Sequence, residues 1–315
     1  MSAAAKKRVD VAAAVITRPD GCFLLGQRAP GTFYPGYWEF PGGKVEPGED
    51  ARAALIRELD EELGIAAATC WPWLMREHDY EHAHVRLHFF EVPDWRGEIN
   101  DHVHSALAWQ HPEQLAVSPM LPANAPILKA LRLPREMGIT DAAGMGEAAQ
   151  LAALDRALAD GLKLVQIRDT TLDPAPRERL AHAVVQRCNA AGALALVNGD
   201  ADLARRTAAH GLHLPARQLM ACATRPDFDW VGASCHTRAE LEHCARLGLD
   251  YALLGHVSAT PSHPDAAALG WDGFGELVKW LPMPVFAIGG VGTEHMRTAR
   301  AAGAHGVAGI RARWA

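Results

Sequence analysis

The chain has 315 residues, 49% hydrophobic and 22% charged, with a formal net charge of −6. That length predicts two domains, and the composition excludes wholesale disorder, which needs few apolar residues and a high net charge. A mildly acidic chain lacks the basic footprint of a nucleic-acid polymer binder. No apolar run approaches the roughly 18 residues that span a bilayer. Asp10 interrupts the short apolar stretch after Lys6-Lys7-Arg8, so the start reads as a first strand rather than a signal peptide. Cys22, Cys70, Cys188, Cys222, Cys235 and Cys244 form no CxxC pair. Their scatter excludes a disulfide framework and a Cys-based metal site, and predicts a reduced, cytoplasmic protein.

Taken in chain order, residues 9–16 and 22–28 flank a turn-like Arg-Pro-Asp-Gly at 18–21, which predicts a hairpin. Over 52–63, Leu55, Ile56, Leu59 and Leu63 recur at helical spacing and Gly64 stands at the stop, which predicts a helix. Residues 85–92 read as a strand. His82, His84 and His88, with Arg86 among them, alternate on one face there. Such alternation is what any strand produces, so the histidines fit a zinc site or a polar face lining a cleft. A short helix is expected within 121–133, and 134–137 reads as a linker. The predicted domains are therefore 1–133 and 137–315. In the second, apolar runs at 137–140, 162–167, 193–197, 211–214, 229–234, 251–255, 284–290 and 305–310 alternate with Ala-rich helical sequence. Alternation of that kind implies right-handed βαβ units, and eight repeats imply a closed, small (β/α)8 barrel. The class is α/β throughout.

The chemistry concentrates in 43–65, GKVEPGEDARAALIRELDEELGI. Gly43, Glu49, Arg57-Glu58-Leu59, Glu61-Glu62 and Gly64 hold a fixed spacing, behind WEFPGG at 38–43. Glu58, Glu61 and Glu62 lie at i, i+3 and i+4, so all three project from one helical face. Carboxylates that close raise one another's pKa unless cations neutralise them. Hard oxygen ligands suit Mg²⁺ or Mn²⁺, which in turn bind diphosphate oxygens. The Gly42-Gly43 turn lets backbone approach such an ion, and the Gly43 carbonyl is a candidate ligand. Arg57 is placed to orient a motif carboxylate, Glu49 first.

This run resembles the Nudix signature at every specified position, and WEFPGG resembles the MutT-type members. The resemblance implies an α/β/α sandwich with a mixed sheet. It also implies metal-assisted attack of water on a nucleoside diphosphate linked to another group. For MutT-type members the substrate is a nucleoside triphosphate and the products are a monophosphate and pyrophosphate. The expected substrate is 8-oxo-dGTP, in a nucleotide-pool sanitising role that avoids mutation. Arg28 and Glu39 match MutT-type positions near the substrate. Asn124 in LPANAPIL resembles the asparagine that reads the oxidised purine, although an asparagine after Pro122 also suits a helix N-cap. There is one departure. MutT-type enzymes carry a further glutamate six residues before a late tryptophan; counting back from Trp109 gives Val103, which binds neither metal nor proton. Glu98, Asp101, His102 and His104 lie nearby, and the general base stays open.

The segments VQIRD (165–169), LVNGD (196–200), GLHLP (211–215), GASCH (232–236), DYALLGHVSATPSHP (250–264) and VFAIGGV (285–291) stand in the order of a thiamine phosphate synthase. That resemblance implies a phosphate site at the C-terminal ends of the strands, with Arg168, Asn198, Ser234, Gly289 and Gly290 as its residues and Gly309 as a further phosphate-side turn. Several synthase positions differ. Thr170 stands for a lysine, Gly199 for a magnesium-holding aspartate, and His263 lies in the loop that carries another lysine. The expectation is a catalytically degenerate barrel that takes a thiamine-related phosphate. It leaves two alternatives for the whole chain: hydrolysis of thiamine-related diphosphates, or a Nudix enzyme regulated by a sensing barrel.

Overall fold

The computed structural model describes residues 7–81, 83–259, 267–310 and 313–314. The chain divides into two compact units, Met1–Arg132 and Leu133–Ala315. In the first, β1 (Arg8–Ile16), β2 (Phe23–Gln27) and β3 (Trp38–Glu39) precede helix α1 (Ala51–Leu63). Strands β4 (Ala66–Ala67), β5 (Trp71–Asp79), β6 (His84–Val92), β7 (Trp95–Arg96) and β8 (Ala106–Gln110) follow, and α2 (Ala125–Leu131) closes the unit.

Two three-stranded sheets result. The order β1-β6-β5 is mixed, since β1 runs parallel to β6 and β5 antiparallel to it. The order β3-β2-β8 is antiparallel. The expected hairpin of the first two strands is thus reduced to its turn. Thr17 bridges Phe23 and then β1 and β2 part into different sheets. The reason is in β1, whose nine residues pair along their full length with β6. Strand alternation gives β1 two apolar faces. Ala12, Ala14 and Ile16 pack with Leu55, Leu59 and Leu63 of α1, while Ala13 and Val15 share a core with Ile127 and Ala130 of α2. Helix, sheet and helix form the three layers.

Helix α1 is fixed at both ends. The Asp50 carboxylate accepts from the Arg52 and Ala53 N–H groups, and Gly64 takes φ 66° as the C-cap. These caps set which residues of 51–63 face the sheet edge.

In the second unit β9 (Glu136–Ile139), β10 (Leu164–Ile167), β11 (Leu194–Asn198), β12 (Gly211–Leu214), β13 (Trp230–Cys235), β14 (Tyr251–Gly255), β15 (Val285–Ile288) and β16 (Gly306–Gly309) form a closed parallel barrel. All eight expected strands are present. Met137, Ile139, Leu164, Leu196, Tyr251, Leu253 and Phe286 belong to a compact apolar cluster, and a larger one joins the strands to the surrounding helices. Gly232 makes room inside: a Cβ there would meet the Tyr251 ring at 2.0 Å. The segment read as a linker is structured. Leu133 is buried in the barrel cluster, and its carbonyl accepts from His305 Nε2 at 2.9 Å. Glu136 already belongs to β9. An apolar Leu133 and a buried neutral His305 fasten this stretch, through a partner far along the chain.

Candidate functional site

The Gly42-Gly43 turn runs beside β1: Ala14 N donates to Pro41 O at 2.8 Å and Ala12 N to Gly43 O at 2.9 Å. Gly43 O keeps its second lone pair beyond that bond. Glu58 of α1 sits against this turn so closely that a Cβ on residue 43 would meet its carboxyl carbon at 2.2 Å. Glycine is therefore the residue that admits the carboxylate. Glu62 Oε2 accepts from Gly42 N at 3.1 Å. Burial first, then the neighbouring Glu58 and Glu39 charges, push the Glu62 carboxyl up to about 8.

Arg57 links the rest. Its Nε and Nη2 reach Glu49 at 3.2 and 3.1 Å, and Nη1 reaches Glu58 at 2.9 Å and Glu61 at 3.1 Å. Nη2 also donates to Lys44 O. The guanidinium thus bridges Glu58 and Glu61, of which Glu61 is the more exposed. Among the described residues no three acidic, His or Cys groups stand converged as a ready metal cage. The donor set still suits a hard divalent cation. Carboxylate oxygens share one helix face, a glycine cradles one of them, and burial, with neighbouring carboxylates, raises the proton affinity of a second.

Beside this face Arg28 Nη1 meets both Glu39 oxygens at 2.7 and 2.6 Å. Burial raises the Glu39 carboxyl, and Arg28 opposes it. Asn124 is buried at 2% exposure and caps nothing with its side chain. Its Nδ2 instead points to Trp38 O at 3.4 Å. Asn124 thus stands at the N-cap position of α2 without making the capping bond. Sequence reading missed an aromatic group here. Tyr34 lies 5.4 Å from Tyr80 and 5.5 Å from Tyr37, and His78 lies 4.4 Å from Tyr80, between ring centroids. Tyr80 also bonds the backbone of Ala123 and feels the charges of Glu39 and Arg28. These rings come from segments some forty positions apart, so no local spacing announces them.

His84 pairs with Asp79 at 2.9 Å and His88 Nε2 with Asp10 at 2.8 Å. Each is engaged by a carboxylate. His82 lies outside the described residues. At the departure point Val103 is exposed, whereas His104 beside it is turned inward.

In the barrel, Arg168 follows β10, Asn198 ends β11, Ser234 lies in β13, and Gly289-Gly290 follows β15. Ser234 Oγ bonds His213 Nε2 at 2.8 Å, and His213 Nδ1 bonds the Tyr251 hydroxyl at 2.9 Å. Burial and the Arg168 charge push His213 down to about 3, so it is neutral. Asp169, also buried, accepts from Thr140 Oγ1 and Ala143 N. Gly199 has φ 72°, and Gln218 Nε2 donates to its carbonyl at 2.9 Å. An added Cβ would crowd Gln218 and Pro215 at 3.4 Å. The position that an aspartate would need is thus backbone that favours glycine. His263 lies outside the described residues.

Comparison with known proteins agrees with both units. A NUDIX domain model matches residues 6–131 and a thiamine monophosphate synthase model matches 137–312. Over 124 residues the chain is 44% identical to a CTP pyrophosphohydrolase of Escherichia coli, covering 39% of this chain and 91% of the relative. Over 96 residues it is 38% identical to an 8-oxo-dGTP diphosphatase of Proteus vulgaris, covering 30% and 86%. Over 180 residues it is 38% identical to a thiamine-phosphate synthase of Thermobifida fusca, covering 55% and 81%. The chain belongs to the Nudix hydrolases through its first unit and to the thiamine monophosphate synthase family through its second. Its first unit is a nucleotide diphosphohydrolase. No described helix is long and apolar enough to cross a membrane.

Proposed function

We propose that the first unit hydrolyses nucleoside triphosphates to monophosphate and pyrophosphate, with 8-oxo-dGTP as the preferred substrate, in cytoplasmic nucleotide-pool sanitation. The observation that carries the hydrolase reading is the carboxylate face. Glu58 seats on Gly43, Glu62 hangs from Gly42 N–H with a raised proton affinity, and Arg57 holds Glu49, Glu58 and Glu61 in one array. Glu58, Glu61, Glu62 and the Gly43 carbonyl would hold Mg²⁺ or Mn²⁺. When bound, such an ion polarises phosphoryl oxygens and acidifies water. Arg57 orients the carboxylates, and Gly42 N–H fixes Glu62. The Arg28–Glu39 pair positions the substrate beside them.

Base recognition rests on Asn124. A buried amide that donates and accepts at one edge can separate a purine carbonyl from a ring nitrogen, and Tyr34 and Tyr80 offer ring faces for the base beside it. The 44% identical relative acts on CTP, which favours a cytosine nucleotide as the second reading. Pyrophosphate release from 8-oxo-dGTP, dGTP, CTP and dCTP, compared as kcat/KM, separates the two. A CTP value tenfold or more above that for 8-oxo-dGTP would reverse the order. Including thiamine diphosphate in the panel tests the thiamine-related alternative.

For the barrel the reading is phosphate-ester binding without condensation, at Arg168, Asn198, Ser234, Gly289 and Gly290. Backbone N–H groups of a Gly-Gly turn receive a phosphate without any side chain. Coupling with loss of diphosphate needs a metal and cations on the leaving group. Gly199 and Thr170 supply neither.

A further inference from the structure

Residues 98–105 fold back over α1 and β2. Asn100 N donates to Leu63 O, His102 N to Glu62 O and Ser105 N to Gln27 O, at 2.9, 3.1 and 2.8 Å. Within this loop only 5% of the His104 side chain is exposed. Its ring lies flat where residue 26 has no side chain. A Cβ on Gly26 would meet His104 Cδ2 at 2.3 Å and Nε2 at 2.5 Å. Gly26 pairs with Glu39 across β2 and β3, and opposite residues in such a pair share a face. Arg28, two positions on, shares it too. The ring therefore stands on the same side of the sheet as the Arg28–Glu39 pair.

Two features mark the ring as more than filler. Nδ1 is buried with no hydrogen-bond partner, and Asp101 Oδ1 stands 3.5 Å away, already accepting from His104 N and Val103 N. An unsatisfied buried polar atom costs stability and asks for a reason. The charged groups acting on the ring are Asp101 from its own loop and Arg28, which directly follows β2, with Glu39 of β3 bound to Arg28. Burial, aided by Arg28 and opposed by Asp101, lowers its proton affinity below the ordinary imidazole value.

We propose that His104 is a positioning residue of the hydrolase: its neutral ring, seated in the Gly26 notch, holds Arg28 and Glu39 in the geometry that receives the nucleotide. Protonation places a second cation beside Arg28 and draws Nδ1 toward Asp101, which loosens the pair. The inference rests on the reading of Arg28 and Glu39 as substrate-positioning residues.

The test is steady-state hydrolysis of 8-oxo-dGTP and CTP by the full chain with Mg²⁺, from pH 5 to 8. His104→Ala and Gly26→Ala, which removes or evicts the ring, are each expected to raise KM about tenfold, as a misplaced positioning group does, with kcat within about threefold. The double variant should be no worse than either alone, because both undo one contact. His104→Phe keeps a flat neutral ring and should restore KM to within about twofold. It should also lose the rise in KM expected of the wild type on the acid side of the ordinary imidazole range, where the lowered proton affinity of His104 places its protonation. Melting curves accompany each variant, and if Gly26→Ala does not fold, the two His104 variants carry the test. Unchanged KM in His104→Ala overturns the proposal, as does a fall in kcat at constant KM, or an acid rise that persists in His104→Phe. Wild-type turnover is the separate control: its absence would overturn the hydrolase reading and this inference together, whereas normal turnover with unchanged variants overturns the inference alone.

Discussion

The two units treat their buried charges in opposite ways. In the hydrolase unit Glu62 is enclosed with one backbone donor and two like-charged neighbours, so its ionised form lacks compensation. In the barrel Asp169 has two donors, His213 has two partners and is neutral, and Gly199 leaves no carboxylate to satisfy. Unresolved electrostatics is what a bound cation relieves, and function concentrates where such strain persists. A network that satisfies itself has little left to offer a metal. The same chain thus carries one site built to need a partner and one that retains its shape with less demand for one.

The sharpest break of this contrast is all-or-none. The purified chain, incubated with the pyrimidine diphosphate and thiazole phosphate precursors and Mg²⁺, should form no thiamine phosphate while hydrolysing nucleotides in a parallel assay. Multiple-turnover product, read by chromatography, would mean that other residues of the barrel compensate for Gly199 and Thr170.

Next in size is the carboxylate face. Glu61→Gln keeps the side-chain shape and removes one charge, and kcat should fall at least about 10²-fold. Melting temperature should hold, because Glu61 is exposed and its loss frees Arg57 for Glu49 and Glu58. Turnover equal to wild type, or activity in excess chelator, would remove the metal assignment.

A smaller effect is expected at the base. Asn124→Ala should raise KM for 8-oxo-dGTP more than for dGTP, by the roughly 1–3 kcal/mol that a pair of base-edge hydrogen bonds discriminates. Equal weakening of both would leave Asn124 as a packing residue against Trp38.

The smallest effect is in stability. The folded Glu62 carboxyl titrates near 8 against an ordinary 4.5. Between those values the folded state keeps a proton that the unfolded chain has lost. The contribution is therefore present below about pH 4.5 and is lost as pH rises toward 8. Chelated protein should lose a few degrees of melting temperature across that window, and Glu62→Gln should flatten the dependence. Mg²⁺ should raise the melting temperature more at pH 8 than at pH 5. A dependence identical in Glu62→Gln would place the titration elsewhere.

Much of this was legible in the sequence. Helical spacing in 52–63 and Gly64 at the stop define α1, because the signals are local, and the structure adds the Asp50 cap. The eight barrel strands were legible for the same reason: each is a short apolar run bounded by helical sequence. The parting of β1 from β2 was not, since it depends on a parallel partner more than sixty residues away. The linker reading of 134–137 gave way at Glu136, where β9 begins, and Leu133, read as the end of the first domain, packs in the barrel cluster. The partner there is His305, far along the chain, and no local pattern announces it.

Sequence by itself determined which groups are present: three glutamates on one helical face, glycines where backbone must come close, and a barrel without its aspartate at 199. Periodicity and residue chemistry are properties of neighbours in the chain, so they survive without a fold. Only the tertiary structure decided which groups meet and in what state. It set Glu58 on Gly43, raised Glu62 by burial, gathered Tyr34, Tyr37 and Tyr80, and laid His104 on Gly26 opposite Glu39. Proton affinity and contact depend on desolvation and on distances between remote segments, and those exist only once the sheets have packed.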